Sequence, residues 1–113
     1  MNIFTDLPIT PCALASLIEA QPHTVASKRL CDHPSVEMTL FAFAEGGGIS
    51  ELTYFGDTMY LVLEGEMKLD KEGQLFTLKK GESMNIPSGT LHAIKENSGF
   101  KMLQLTISKN KED

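Results

Sequence analysis

The chain of 113 residues is long enough for one domain with a hydrophobic core but short for two. Its 42% apolar and 22% charged residues are ordinary for a globular protein and exclude a fibrous or disordered chain. The net charge of -5 and the scattered basic residues argue against a nucleic-acid partner, because such binding needs clustered Lys and Arg that neutralise phosphates.

The N-terminal sequence MNIFTDLPITP lacks the positive end and unbroken apolar run of a secretory signal peptide. No apolar run approaches the roughly 20 residues that a membrane-spanning helix needs. The two cysteines, Cys12 and Cys31, form neither a disulfide framework nor a CxxC metal pair, and we interpret them as small buried hydrophobic residues in a reducing compartment. We therefore expect a cytoplasmic protein with no membrane partner.

A short helix is predicted near the start of the chain. Thr10 is a suitable N-cap and Pro11 suits the first helical position. The helix should end near Gln21, since Pro22 follows it. Its apolar face would consist of Ala13, Leu14, Leu17 and Ile18.

After this segment the pattern changes to short runs rich in Val, Ile, Leu, Phe and Thr, which turn-forming residues separate, as in an antiparallel β protein. The clearest hairpin has turn chemistry at residues 70–73, with Gly65 and Gly81 at its two ends. The spacing is typical of a sandwich or a closed barrel. The predicted strands cover residues 24–31, 36–44, 49–54, 58–64, 66–70, 74–79, 83–86, 91–96 and 99–108.

One segment, GESMNIPSGTLHAIKE, delivers a histidine after a tight turn. Pro87 ends one strand, Gly89 permits the turn, and the next strand directs His92 to one side. The segment resembles the second motif of cupins, G-x5-P-x-G-x2-H-x3-N, except that Glu96 replaces the final Asn and Asn97 comes one place later. The first four fixed positions are filled by Gly81, Pro87, Gly89 and His92.

The resemblance extends over residues 36–108 and implies an all-β, double-stranded β-helix (jelly-roll) cupin barrel with a short N-terminal helix. We predict a single domain over residues 1–113, with the helix and an edge strand in 1–35, the barrel in 36–108 and a solvated tail in 109–113. Small cupins often pair through N-terminal strands, and a free edge strand needs a cover. We therefore expect a homodimer.

The segment GISELTYFGDTMYLVLEG matches the frame of the first cupin motif, G-x5-H-x-H-x3,4-E-x6-G. Counting back from Gly65 places the glutamate position on Thr58 and the two histidine positions on Leu52 and Tyr54. All three first-motif ligands are therefore absent. A tightly held zinc, iron, manganese or nickel ion needs about three or four protein ligands, so no cofactor is expected.

Two interpretations of His92 follow. If a divalent metal binds, its ligands would be His92 and Glu96, which share a strand face if the strand stays regular. Otherwise His92 is a hydrogen-bonded imidazole beside Tyr54, Thr58 or Glu96. The resemblance places the candidate pocket at the barrel mouth, lined by Leu52, Tyr54, Thr58, Tyr60, Met84, His92 and Glu96.

Two function classes remain at this point. The first is a binding or accessory module for an unidentified small molecule, with a degenerate metal site. The second is a metal-dependent cupin enzyme, an oxygenase or isomerase of a small polar substrate, which would use nonstandard ligands together with His92. Acid–base chemistry without a metal also leaves enzymatic activity open, and no catalytic residue is assigned.

Overall fold

The structure is a computed structural model that describes residues 2–108. The predicted all-β architecture is confirmed, and the predicted tail at 109–113 lies outside the described residues. Over the described range, no helix is long and apolar enough to cross a membrane. The strands are β1 (Val25–Arg29), β2 (Val36–Phe43), β3 (Ile49–Leu52), β4 (Asp57–Lys71), β5 (Gln74–Lys79), β6 (Ser83–Ile86), β7 (His92–Ile94) and β8 (Phe100–Ile107).

The eight strands form one curled antiparallel sheet with the order β1-β2-β8-β4-β7-β3, to which β5 and β6 add by pairing with β4. The first half of β4 pairs with β8 and β6, and its second half pairs with β5 and β7. This one long strand therefore belongs to both walls of the barrel.

Gly65 lies inside β4, whereas the sequence placed it between two strands. Its φ is +73°, and a Cβ at this position would lie 2.6 Å from the carbonyl oxygen of Gly99. The register with β8 also shifts between Val62 and Glu64, as in a β-bulge. A glycine and a bulge thus bend the strand from one wall to the other without ending it.

Alternating side chains of the strands fill the barrel interior, as the period of two in a β-strand requires. In β2, Phe41 and Phe43 contact the interior core, while Leu40 and Ala42 lie on the opposite, outer face. The buried members of the interior core are Phe43, Tyr60, Val62, Met67, Leu69, Leu78, Ile86, Ile94, Phe100 and Met102.

The N-terminal helix is shorter than predicted, a single 3-10 turn at Leu14–Leu17. Its N-cap is Ala13, not Thr10, and no side chain caps it. The hydroxyl of Ser16 donates to the carbonyl oxygen of Ala13 over 2.7 Å, and Ile18 is already extended. Packing against the sheet sets this conformation, because such a short helix gains little stability from its own hydrogen bonds.

This N-terminal turn covers the outer face of the sheet. Leu14, Leu17 and Ile18 pack in an outer core with residues such as Leu40 and Leu103. Two lysines hold the backbone of the turn: Lys28 donates to the carbonyl oxygen of Leu17 over 3.2 Å, and Lys101 donates to that of Ala15 over 2.8 Å. The turn therefore contributes to the outer core and not to the barrel interior.

The predicted hairpin at residues 70–73 is present. Lys71 pairs with Gln74, which leaves Glu72 and Gly73 as a two-residue loop with φ values of 54° and 82°. Two consecutive positive φ angles define the hairpin turn whose twist matches that of the strands. The carboxylate of Asp70 accepts a hydrogen bond from the amide of Gly73 over 3.2 Å.

Candidate functional site

His92 is the first residue of β7 and is buried, with 3% of its surface exposed. The turn before it contains Gly89, whose φ is +79° and whose amide donates to the carbonyl oxygen of Tyr54 over 2.9 Å. Leu52 pairs with His92 in the β3–β7 ladder. The fold therefore brings the two motif segments together.

Both ring nitrogens of His92 have partners. Nδ1 lies 2.9 Å from the carbonyl oxygen of Thr90, which can only accept, so Nδ1 carries a hydrogen. In the neutral imidazole Nε2 is then the acceptor, and it lies 2.7 Å from the hydroxyl oxygen of Tyr60, which donates to it. The partner of His92 is therefore Tyr60, not Tyr54, Thr58 or Glu96.

Tyr60 and Tyr54 are neutral phenols at neutral pH. Burial raises the pKa of Tyr60, and the neighbouring Tyr54 and the carboxylate of Glu37 raise it further. Burial also raises the pKa of Tyr54, and the charge of Glu37 adds to this rise. The ring of Tyr54 lies 6.3 Å from that of His92, centroid to centroid.

Hydrogen-bonded polar side chains also line the barrel wall opposite His92. Thr58 is buried, and its hydroxyl oxygen lies 2.6 Å from that of Thr106. The amide nitrogen of Gln104, which is 1% exposed, donates to Thr106 and also to the carboxylate of Glu37, the latter over 2.8 Å. Every buried side-chain nitrogen or oxygen among residues 2–108 has a hydrogen-bond partner.

Glu37, Gln104 and Thr106 were not predicted from the sequence as site residues. The period of two along β8 could have identified two of them. Gln104 and Thr106 alternate in step with Phe100 and Met102, whose side chains face the interior. Polar residues at inward-facing positions of an otherwise apolar strand indicate a polar site, since burying such groups is costly without partners.

The remaining two candidates lie in different places. Met84 is half-buried, pairs with Tyr60 in the β4–β6 ladder and packs against the interior core. Glu96 follows the end of β7 at Ile94, so the regular strand on which its placement beside His92 depended is absent. It is exposed and lines an open surface depression of about 740 Å³ together with Gly48 and Ser50.

The donor set does not fit a tightly held metal ion. Leu52 has no lone pair, the hydroxyl of Thr58 bonds to Thr106, and Nε2 of His92 accepts from Tyr60. Within residues 2–108, no three His, Cys, Asp or Glu side chains are grouped so that they could hold a metal.

Comparisons with known proteins agree with this fold. No curated protein matches the chain. A cupin superfamily protein from Desulfitobacterium hafniense DCB-2 is 40% identical over 94% of this chain and 98% of its own, with a TM-score of 0.89. A cupin 2 conserved barrel domain protein from Leptotrichia buccalis is 35% identical over 84% of this chain and 46% of its own, with a TM-score of 0.80.

A more distant structure shares the fold alone. Salicylate 1,2-dioxygenase from Pseudaminobacter salicylatoxidans is 18% identical over 74% of this chain and 26% of its own, with a TM-score of 0.67. The family model described as "Cupin domain" matches residues 39–107. Since this match covers more than half of the sequence, the chain belongs to the cupin family.

Proposed function

We propose that this protein is a metal-independent cupin that binds a small molecule at the mouth of its barrel, as a binding or accessory module. The observation that carries the proposal is the hydrogen bond between Tyr60 and His92. It occupies the lone pair that the histidine of the second motif would give to a metal. The position that pairs with His92 in the ladder is Leu52, which cannot coordinate.

The side chains at the mouth support a binding role. Tyr54, Leu52 and Met84 are all partly exposed, and each packs against the interior core. An apolar wall with a few fixed polar groups is the usual composition of a small-molecule site. The thioether of Met84 suits such a wall because it adapts to ligand shape.

The competing function is a metal-dependent cupin enzyme with nonstandard ligands. Elemental analysis of the purified protein and calorimetric titration with zinc, nickel and manganese distinguish the two. We expect substoichiometric metal and no binding at micromolar concentration. Near-stoichiometric metal that is lost in a His92→Ala variant would refute the metal-independent proposal. If a Glu96→Gln variant keeps the metal, His92 binds it without Glu96; if that variant also loses the metal, Glu96 is a second ligand.

We also propose that the protein is a homodimer. β1 is an edge strand, and residues 3–5 cover only its C-terminal end, through hydrogen bonds with Arg29, Leu30 and Asp32. Apolar side chains such as Met59 and Ile107 are exposed on the outer face. Exposed edges and apolar surface are commonly covered by a second subunit. Light scattering should give twice the chain mass of 12.4 kDa. A monomer mass at micromolar concentration would contradict this.

A cytoplasmic location remains part of the proposal. Cys31 is buried, as predicted from the sequence, whereas Cys12 is exposed and the prediction of burial is wrong for it; neither is in a disulfide. Free thiols of this kind fit a reducing compartment. Cell fractionation with antibody detection tests the location, and recovery from an extracytoplasmic fraction would contradict it.

A further inference from the structure

An exposed carboxylate lies on the same barrel wall as the phenol of Tyr60. Glu37 is in phase with Phe41 and Phe43 on β2, whose side chains contact the interior core, so it belongs to the inward-facing row of that strand. Glu37 pairs with Thr106 of β8, and Tyr60 pairs with Gln104 of the same strand. The carboxylate and the Tyr60 phenol therefore lie on the same wall of the barrel, and the charge of Glu37 adds to the raised pKa of both phenols. Glu37 itself is exposed, which leaves it open to solvent and to a ligand.

The carboxylate of Glu37 is held in place but is not neutralised. The amide of Gln104, which is itself buried and bonded to Thr106, donates to Oε2 of Glu37 over 2.8 Å. The ion pair found among residues 2–108 joins Lys101 to Glu64 and does not involve Glu37. A fixed carboxylate with no cationic partner is a ready counter-ion for a positively charged ligand.

An aromatic group of the candidate site favours the same class of ligand. Tyr54 is partly exposed and packs against the interior core. The face of an aromatic ring attracts a cation through its quadrupole, and the attraction increases when the site is partly desolvated. A carboxylate and aromatic faces together select an organic cation over a neutral molecule of the same shape.

We propose that the barrel mouth binds a small protonated amine with an apolar substituent, for which Glu37 is the counter-ion and Tyr54 a flanking aromatic and hydrogen-bonding group. This inference rests on the proposed metal-independent binding function and adds the charge class of the ligand. Gln104 is a positioning residue, since it acts by fixing the carboxylate.

A rival interpretation invokes Lys71. This residue pairs with His92 in the β4–β7 ladder and shares the strand face of Met67 and Leu69. Its ammonium group, however, lies 5.9 Å from the centroid of the Phe76 ring. Glu37, by contrast, is fixed by the hydrogen bond from Gln104, which pairs with Tyr60 in the β4–β8 ladder. An anion would depend on Lys71, so the two interpretations make opposite predictions.

The experiment uses three probes of similar shape and different charge: benzylamine, benzyl alcohol and benzoate. Binding is followed by intrinsic fluorescence, because the chain has two tyrosines and no tryptophan, and both tyrosines lie at the site. We expect benzylamine to bind about tenfold more tightly than the other two, the factor that one charge-assisted contact supplies. Glu37→Gln keeps an acceptor for Gln104 and should reduce benzylamine binding to the level of benzyl alcohol.

The matched control is Glu51→Gln, which removes the same charge from an exposed position on β3. It should leave benzylamine affinity unchanged, and thermal unfolding should show that both variants fold. Equal affinity of wild type and Glu37→Gln for benzylamine would overturn the inference. So would tighter binding of benzoate that is lost in Lys71→Gln, or no binding of any probe. Stoichiometric metal in the purified protein would instead refute the proposed function, and is measured separately.

Discussion

The hydroxyl of Tyr60 donates to Nε2 of His92 over 2.7 Å, and this bond joins the two walls of the barrel. Tyr60 belongs to the half of β4 that pairs with β8 and β6, whereas His92 begins β7, which pairs with β3 and the other half of β4. The contact links one segment of each cupin motif. A hydrogen bond between two side chains of the same chain therefore occupies Nε2 of His92, at the site where the other metal ligands of the motif are missing.

The first prediction concerns the buried partner of His92. Tyr60→Phe leaves Nε2 of a buried imidazole without a donor, which should lower the free energy of unfolding by about 1–3 kcal/mol. Urea denaturation measures the change. Tyr54→Phe is the control, since Tyr54 is half-buried and does not bond to His92, and its effect should be smaller.

A double-mutant cycle tests whether this loss comes from the Tyr60–His92 pair. In a His92→Leu background the substitution Tyr60→Phe should cost less than in the wild type, because the unpaired acceptor is gone. Equal costs in both backgrounds would show that the two side chains are not coupled.

The second prediction concerns pH. Burial raises the pKa of both tyrosines above the ordinary value of 10.0, so the folded state favours the protonated phenol. The resulting stability is fully present below about pH 10 and is lost as the pH rises from there towards the folded-state pKa. A near-ultraviolet titration should show no phenolate until the protein unfolds. Two phenolates formed in the folded protein near pH 10 would contradict this.

The third prediction concerns reconstruction of a metal site. Leu52→His with Thr58→Glu should supply two ligands at the first-motif positions, and Tyr60→Phe should release the lone pair of His92. We expect this triple variant to bind zinc, nickel or manganese more tightly than the natural chain, since three ligands on a rigid barrel gain from geometry. Calorimetry measures the affinity.

The control for this reconstruction is the same triple variant with His92→Ala, which should lose the gain. Unchanged metal affinity in a folded triple variant would show that the motif positions are not arranged to share an ion in this barrel.

The fourth prediction compares two glycines with positive φ. Gly65→Ala should lower the free energy of unfolding by more than the roughly 1–2 kcal/mol that a left-handed conformation costs, because the Cβ would also lie 2.6 Å from the oxygen of Gly99. Gly73→Ala should cost only the conformational term, since nothing lies within 4 Å of its Cβ. If urea denaturation shows the same loss of unfolding free energy for both variants, the close contact between position 65 and Gly99 adds nothing to the cost.

Much of the barrel was predictable from local patterns. The hairpin with its turn at residues 70–73, the strand that ends at Ile86 before Pro87, and the turn at Gly89 that delivers His92 all follow from strand alternation and turn chemistry. These depend on neighbours within a few residues, so the sequence carries them directly.

The N-terminal segment could be predicted only in part. Its apolar residues Leu14, Leu17 and Ile18 do form one contact surface, but the surface lies on the outer face of a sheet. The carbonyl oxygens of the turn bond to Lys28 and Lys101, which come later in the chain. Helix propensity is a weak preference, and tertiary contacts override it.

The composition of the mouth depended on tertiary structure. The sequence alone determined that Leu52, Tyr54 and Thr58 replace the first-motif ligands, because that requires only motif spacing. It did not determine that Tyr60 bonds to His92, 32 residues later, or that Gln104 holds Glu37, 67 residues earlier. Such pairs are decided by strand register, by the bulge between Val62 and Glu64 and by the bend at Gly65, which set the side chains that meet across a closed barrel.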